Sequence, residues 1–192
     1  SIGAPILKLG STMVTRSNDD FIQTIGVWST FLSAFFVNRD AWIGVRDRSK
    51  YLNSDIYLTH VLFRLLATAP ERTKIVTSEA MIAVRNAFTG SYRICHAFGL
   101  HFMKLLVEDA PSLGFSSNVL NTVKRRTIRV TLPHMILLIR IGERPRSLTL
   151  IEIGQLLRYT WWEPLAWIYM VPIMLLPRTL LEKVRQLRRN SK

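Results

Sequence analysis

The chain has a single cysteine, Cys95, in 192 residues. That excludes a disulfide-stapled fold and a cysteine-rich zinc module. Acidic residues are scarce, 13 Asp+Glu against 26 Lys+Arg. No Gly-rich phosphate loop, His-Glu-x-x-His, Gly-x-Ser-x-Gly or Cys-x-x-Cys motif occurs. P-loop, zincin, α/β-hydrolase and dithiol chemistry therefore have no sequence support. Asp-x-Asp is missing too, since Asp19-Asp20 lacks the spacing. Low complexity and internal repeats are also lacking. With 48% hydrophobic residues, 20% charged, 9 Phe and 5 Trp, the composition is not that of a disordered tail.

What is present is charge in one place. Residues 1–120 carry 12 Lys/Arg and 9 Asp/Glu, whereas residues 121–192 carry 14 and 4. The net charge of +13 is thus a property of the C-terminal third. The same third holds the best membrane candidate, Tyr159 to Pro177, which is interrupted by Glu163 and broken by Pro164, Pro172 and Pro177. Its longest uncharged run is Pro164–Pro177, 14 residues. As a helix this spans about 21 Å, short of a ~30 Å hydrocarbon core. Trp161, Trp162, Trp167 and Tyr169 are residue types favoured at a bilayer interface. Arg178, Lys183, Arg185, Arg188, Arg189 and Lys192 follow, each attracted to an anionic leaflet. This pattern predicts contact with a membrane surface; a Trp-rich helix on the protein's own core, ahead of a solvated basic tail, is the structural alternative.

Periodicity sketches a mixed first part and a helical second part. Phe31 to Asn38 reads as a buried strand and Asp40 to Lys50 as turn-like. Asp55 to Ala69 reads as a helix closed by Pro70, with Ser54 or Asp55 as N-cap. Lys74–Thr77 and Ala80–Arg85 read as short strands, and Tyr92 to Leu106 as a helix. Beyond Pro111 everything reads as helical: a long segment Val119 to Ile141 kinked or split at Pro133, a linker Gly142 to Ser147, and Leu148–Arg158. The expected organisation is residues 1–110 as an α/β part and 111–192 as a basic amphipathic helical region.

Cys95-His96 with His101, in one apolar stretch with no carboxylate among them, read as structural rather than as a metal site, and His134 likewise. The informative run is Phe21 to Arg64. A buried strand emerging into a polar loop, then a helix with a carboxylate in its first turn, would put Asp55 at a sheet edge. There it could take a proton from a hydroxyl nucleophile, or merely cap a helix.

The order Thr30-Phe31-Leu32-Ser33, apolar strand, Asn38-Arg39, Trp42, Tyr51-Leu52-Asn53-Ser54-Asp55, then Leu58-Thr59-His60 resembles the second half of family 2 glycosyltransferases of the GT-A fold. It is most similar to the abequosyltransferase-like members that build bacterial O-antigen, lipopolysaccharide and other surface polysaccharides. Ile82-Ala83-Val84-Arg85-Asn86, Gly90-Ser91-Tyr92 and Phe98-Gly99 continue the resemblance, which covers about residues 20–110. It implies the α/β acceptor-side half of a GT-A catalytic domain, followed by the basic helical region. Asp55 becomes the catalytic base, and His60, Arg85 and Asn86 neighbours of the acceptor, donor or diphosphate. Ser54 stands where the family's acidic motif commonly has Glu. Trp28 and Trp42 either stack on sugar rings or pack in the core. Ser33 and Asn38 either bond acceptor hydroxyls or form turns and caps.

The implied activity is inverting transfer of a sugar from a nucleotide-sugar donor to a hydroxyl of a lipid-linked saccharide, a hexosyltransferase-type reaction. A divalent cation, Mg2+ or Mn2+, is expected, held by a motif outside this chain. With Ser1 in place of Met and no nucleotide-binding half, the expectation is a downstream part of a longer enzyme, inactive alone. Its expected place is the cytoplasmic face of the inner membrane, as a peripheral protein. Two rivals remain: a non-enzymatic membrane-associated helical protein, and, from a pI near 10.7, a nucleic-acid binder, for which no motif speaks.

Overall fold

The computed structural model describes residues 12–30, 36–76, 95–142 and 149–190. These are mainly helical, with one two-stranded sheet. They group into two compact units, residues 1–88 with 105–123, and residues 89–104 with 124–192. The division does not fall at the compositional break near residue 111. Composition tracks the charge shown to solvent, whereas packing follows the buried apolar side chains.

In the first unit, β1 (Met13–Thr15) pairs antiparallel with β2 (Lys74–Val76), Val14 opposite Ile75. The Lys74 ammonium donates to the Arg16 and Pro70 carbonyls, both at 2.6 Å, and ties the strand to the chain beside it. Helix α1 (Asn18–Ile25) starts at Ser17, whose hydroxyl accepts from the Asp20 amide at 3.1 Å. It stops at Gly26, which takes φ +48°, a conformation glycine adopts without steric cost. Gly26 opens a 3-10 turn, Gly26–Thr30.

Helix α2 (Arg39–Gly44) occupies a stretch expected to be turn-like. Asn38 makes it: its Oδ1 accepts from the Asp40 and Ala41 amides, each at 3.0 Å. Of the strand expected over Phe31 to Asn38, only residues 36–38 are described; they pair with no strand, Phe36 is exposed and Asn38 caps α2, and residues 31–35 lie outside the described residues. Helix α3 (Tyr57–Thr68) follows the periodicity and buries Val61, Leu62, Phe63 and Leu66. Its N-cap is Ile56, with no side-chain bond to the cap, instead of Ser54 or Asp55.

The strand expected at Lys74–Thr77 is present as Lys74–Val76, and the one at Ala80–Arg85 lies outside the described residues. The helix expected at Tyr92 to Leu106 runs on to residue 112 and is mostly π-wound, over Cys95–Phe102 and Leu105–Asp109, before the short α4 (Ala110–Ser112). Helix α5 (Ser117–Arg126) supplies Val119, Leu120 and Val123 to the first unit's core. There Phe63 and Phe115 meet with ring centroids 5.0 Å apart.

The second unit is helical throughout its described residues. A π-wound turn, Thr127–Thr131, leads into α6 (Leu132–Arg140), and Pro133 lies in the first turn of α6. The widened turn comes just where Pro133 has no N–H to offer the preceding carbonyls. Helix α7 (Leu150–Arg158) starts with a capping box, Thr149 and Glu152 each bonding the other's amide at 3.2 Å. It packs on Cys95–Phe102 so closely that a Cβ on Gly99 would come within 3.2 Å of the Leu156 backbone. Helices α8 (Pro164–Tyr169) and α9 (Val171–Leu175) are kept short by Pro164, Pro172 and Pro177, and α10 (Arg178–Asn190) carries the basic end. Among the described residues no helix is long and apolar enough to cross a membrane. Gly142 belongs to a turn, and the rest of the expected linker lies outside the described residues.

Candidate functional site

The first unit gathers its chemistry around the chain from Val45 to Arg64. Asp47 has φ +56°, in the left-handed region that residues other than glycine seldom adopt. This bend carries the chain into a 3-10 turn, Arg48–Tyr51. An open hollow of about 430 Å³ lies here, lined by Val45, Asp47, Arg48, Ser49, Leu52 and Tyr57. The turn that follows holds Ser54, whose hydroxyl accepts from the Ile56 amide at 3.3 Å, and the exposed Asp55.

Beneath the turn, the buried Tyr51 ring stacks on the buried His60 ring, centroids 4.2 Å apart and 8° from parallel. The Tyr51 phenol oxygen accepts from Arg64 Nη2 at 2.8 Å and Nε at 3.3 Å. The Arg64 and Lys50 cations also sit near the ring, at 5.1 and 5.5 Å from its centroid. On the other side, His60 Nδ1 lies 3.7 Å from Asp109 Oδ2. Carboxylate, imidazole, phenol and guanidinium are thus linked in series by a charge contact, a ring stack and a pair of hydrogen bonds, with both aromatic members buried. His60 and Arg64 are four apart on α3 and therefore share a face. These contacts tie the Tyr51 end of the turn to α3 and to Asp109.

Of the other expected site residues, Asn38 is engaged as the α2 cap, and α2 packs on α3. Trp28, in the 3-10 turn, and Trp42, in α2, are both half-buried. Ser33, Arg85 and Asn86 lie outside the described residues. Between Phe36 and Asp55 the described residues contain no strand, and residues 31–35, where most of the expected strand falls, lie outside the described residues. Asp47, Arg48, Tyr51 and Asp109 were missed by sequence reasoning. Asp109 carries no local signal, being 49 residues from His60, while Tyr51 and Arg64 stood within the motif that was read.

The divalent cation implied by the family resemblance finds no suitable donor set in the hollow. Its one carboxylate, Asp47, is accompanied by the Arg48 cation, whereas Mg2+ and Mn2+ take several oxygen ligands.

In the second unit, His96 and His101 are five apart on the π-wound stretch and meet edge to face, centroids 4.2 Å apart. Their ring nitrogens are within 4.8 Å, close enough for one transition-metal ion to reach both. Cys95 is a poor ligand or nucleophile, because burial and then the Glu152 carboxylate push its thiol up to about 12. Compared with family models, curated proteins and solved structures, the chain shows no match.

Proposed function

We propose that the chain is the acceptor-side part of an inverting GT-A glycosyltransferase, working on a lipid-linked saccharide as a peripheral protein on the cytoplasmic face of a bacterial inner membrane. The observation that carries the reading is the state of Asp55. It is exposed on a turn, the N-cap position of α3 belongs to Ile56, and an open polar hollow lies in the same segment. A carboxylate so placed can accept a proton from a substrate hydroxyl.

In this mechanism Asp55 takes the acceptor hydroxyl proton as that oxygen attacks the anomeric carbon of the nucleotide-sugar. The bond from that carbon to the diphosphate breaks on the opposite face, and the nucleoside diphosphate leaves with the electron pair. Tyr51, His60, Arg64 and Asp109 act by keeping the turn in place.

The test is Asp55→Asn in the protein as its gene encodes it, assayed with nucleotide-sugars and a lipid-linked acceptor. The expected result is a kcat lower by roughly 10²–10⁴-fold with an unchanged Tm. Unchanged turnover would overturn the reading and favour a non-enzymatic helical protein.

A further inference from the structure

We infer that the Trp161–Leu175 segment of the second unit is a docking surface for an anionic lipid bilayer, which deepens the peripheral-membrane part of the proposed function and does not depend on glycosyl transfer. Trp161, Trp162, Trp167, Ile168 and Leu175 are between 47 and 78% exposed. The three indoles are joined to one another. The rings of Trp161 and Trp162 pack edge to face at 6.0 Å, the Trp167 indole N–H donates to the Trp161 carbonyl, and α8, which carries Trp167 and Ile168, packs on α9, which carries Leu175. A joined apolar surface of this kind marks an interaction site rather than ordinary exposure.

The surface is also held in place. Glu163, between Trp162 and the start of α8, binds Lys124 at 2.6 Å, both side chains being less than 15% exposed. Arg129 lies over the Tyr169 ring at 5.7 Å. The indoles therefore present themselves with little ordering left to do, and binding loses less conformational freedom.

The chemistry of the occupant follows from residue type and charge. Indoles, with a polar edge on an apolar body, suit the headgroup boundary. Residues 124–192 carry 14 Lys/Arg and 4 Asp/Glu. The three described acids are already engaged: Glu152 in its capping box, Glu163 with Lys124, and Glu182 with Arg178 at 2.7 Å. The cations of α10 follow the apolar surface directly in sequence. Phosphate headgroups offer a partner to the exposed Lys183 while the indoles enter the interface. A nucleic acid would satisfy the cations and leave Leu175 and Ile168 in water.

The test uses the whole chain with phosphatidylcholine vesicles, with or without a third of phosphatidylglycerol, followed by co-sedimentation and tryptophan emission. Binding to the anionic vesicles with a blue shift is expected, weakened about tenfold or more in a Trp161→Ala/Trp162→Ala/Trp167→Ala variant. Lys183→Glu should weaken it roughly fivefold or more at low salt and less at high salt. Circular dichroism should show the fold intact in both variants. The inference is overturned by any of four results: no vesicle binding, equal binding by the tryptophan variant, equal binding to neutral vesicles, or tighter binding to oligonucleotide at matched salt. It is also overturned if the wild-type chain self-associates through this surface and the tryptophan variant is a monomer with no loss of vesicle affinity.

Discussion

The two units of the chain differ in how they place their ring-bearing side chains. The first buries a linked polar series, with His60 and Tyr51 inside and Arg64 and Asp109 at its ends, and its two tryptophans are half-buried. The second buries Phe98, Phe102, Ile128, Leu132 and Ile136, yet leaves three tryptophans about half exposed. A buried polar network fixes a local geometry, since each member must keep its partner or lose solvation without return. An exposed indole cluster fixes nothing in its own unit and is explained only by what covers it. Precise placement and surface adhesion are different physical tasks, and in the functions proposed above they fall to different regions.

The largest effect that bears on this contrast comes from two aromatic truncations. Phe63 is fully buried in the first unit's core, so Phe63→Ala should cost about 3–5 kcal/mol in denaturant unfolding. Trp161→Ala removes a larger side chain but should change stability by no more than about 0.5 kcal/mol, its ring being 59% exposed. Comparable costs would break the contrast, because Trp161 would then be part of a core.

A smaller effect tests whether the tryptophan segment is pinned. Lys124→Met leaves Glu163 partly buried without its cation, and should cost about 2 kcal/mol. It should also raise hydrogen exchange in residues 161–170 more than in α3. Exchange raised equally in both would count against a local pin.

The smallest effect is a pH dependence. The Cys95 thiol has a folded value of about 12 against an ordinary 9.0. Its contribution to stability is complete below pH 9, because both states are then protonated. As pH rises above 9 the unfolded thiol ionises and the folded one does not, so stability falls until about pH 12. Wild type should therefore lose more stability than Cys95→Ala between pH 9 and 10.5, by about 1–2 kcal/mol. At pH 8 iodoacetamide should label Cys95 only under denaturing conditions. Fast labelling of the folded chain would show an open, ionised thiol.

Several elements were legible because their signals are local. Ile56, Val61, Leu62 and Leu66 recur at helical spacing and end at Pro70, and α3 lies there; the helical character after Pro111 was equally plain. Helix α2 was not read, although Asn38 and Asp40 are a cap and a first-turn acid, because six residues are too few to show a period. The π winding of Cys95–Phe102 has no local signature, and Gly99 beneath Leu156 is part of its tertiary setting. Asp55 was picked out by motif order, whereas the stacking of Tyr51 on His60, and Asp109 beside it, depends on how the chain folds back.

The sequence by itself determined where charge, indoles and helix-breaking prolines fall, hence the helical character of the C-terminal third and its want of a membrane-crossing helix among the described residues. Those properties depend on neighbours a few residues apart, whose spacing is covalent. Only the tertiary structure decided that Asp55 stands exposed on the turn before α3, that Asp109 faces His60, and that Trp161, Trp162 and Trp167 are about half exposed rather than in a core. Each of these depends on residues distant in the chain competing for the same interior space, and close packing rather than local preference settles that competition.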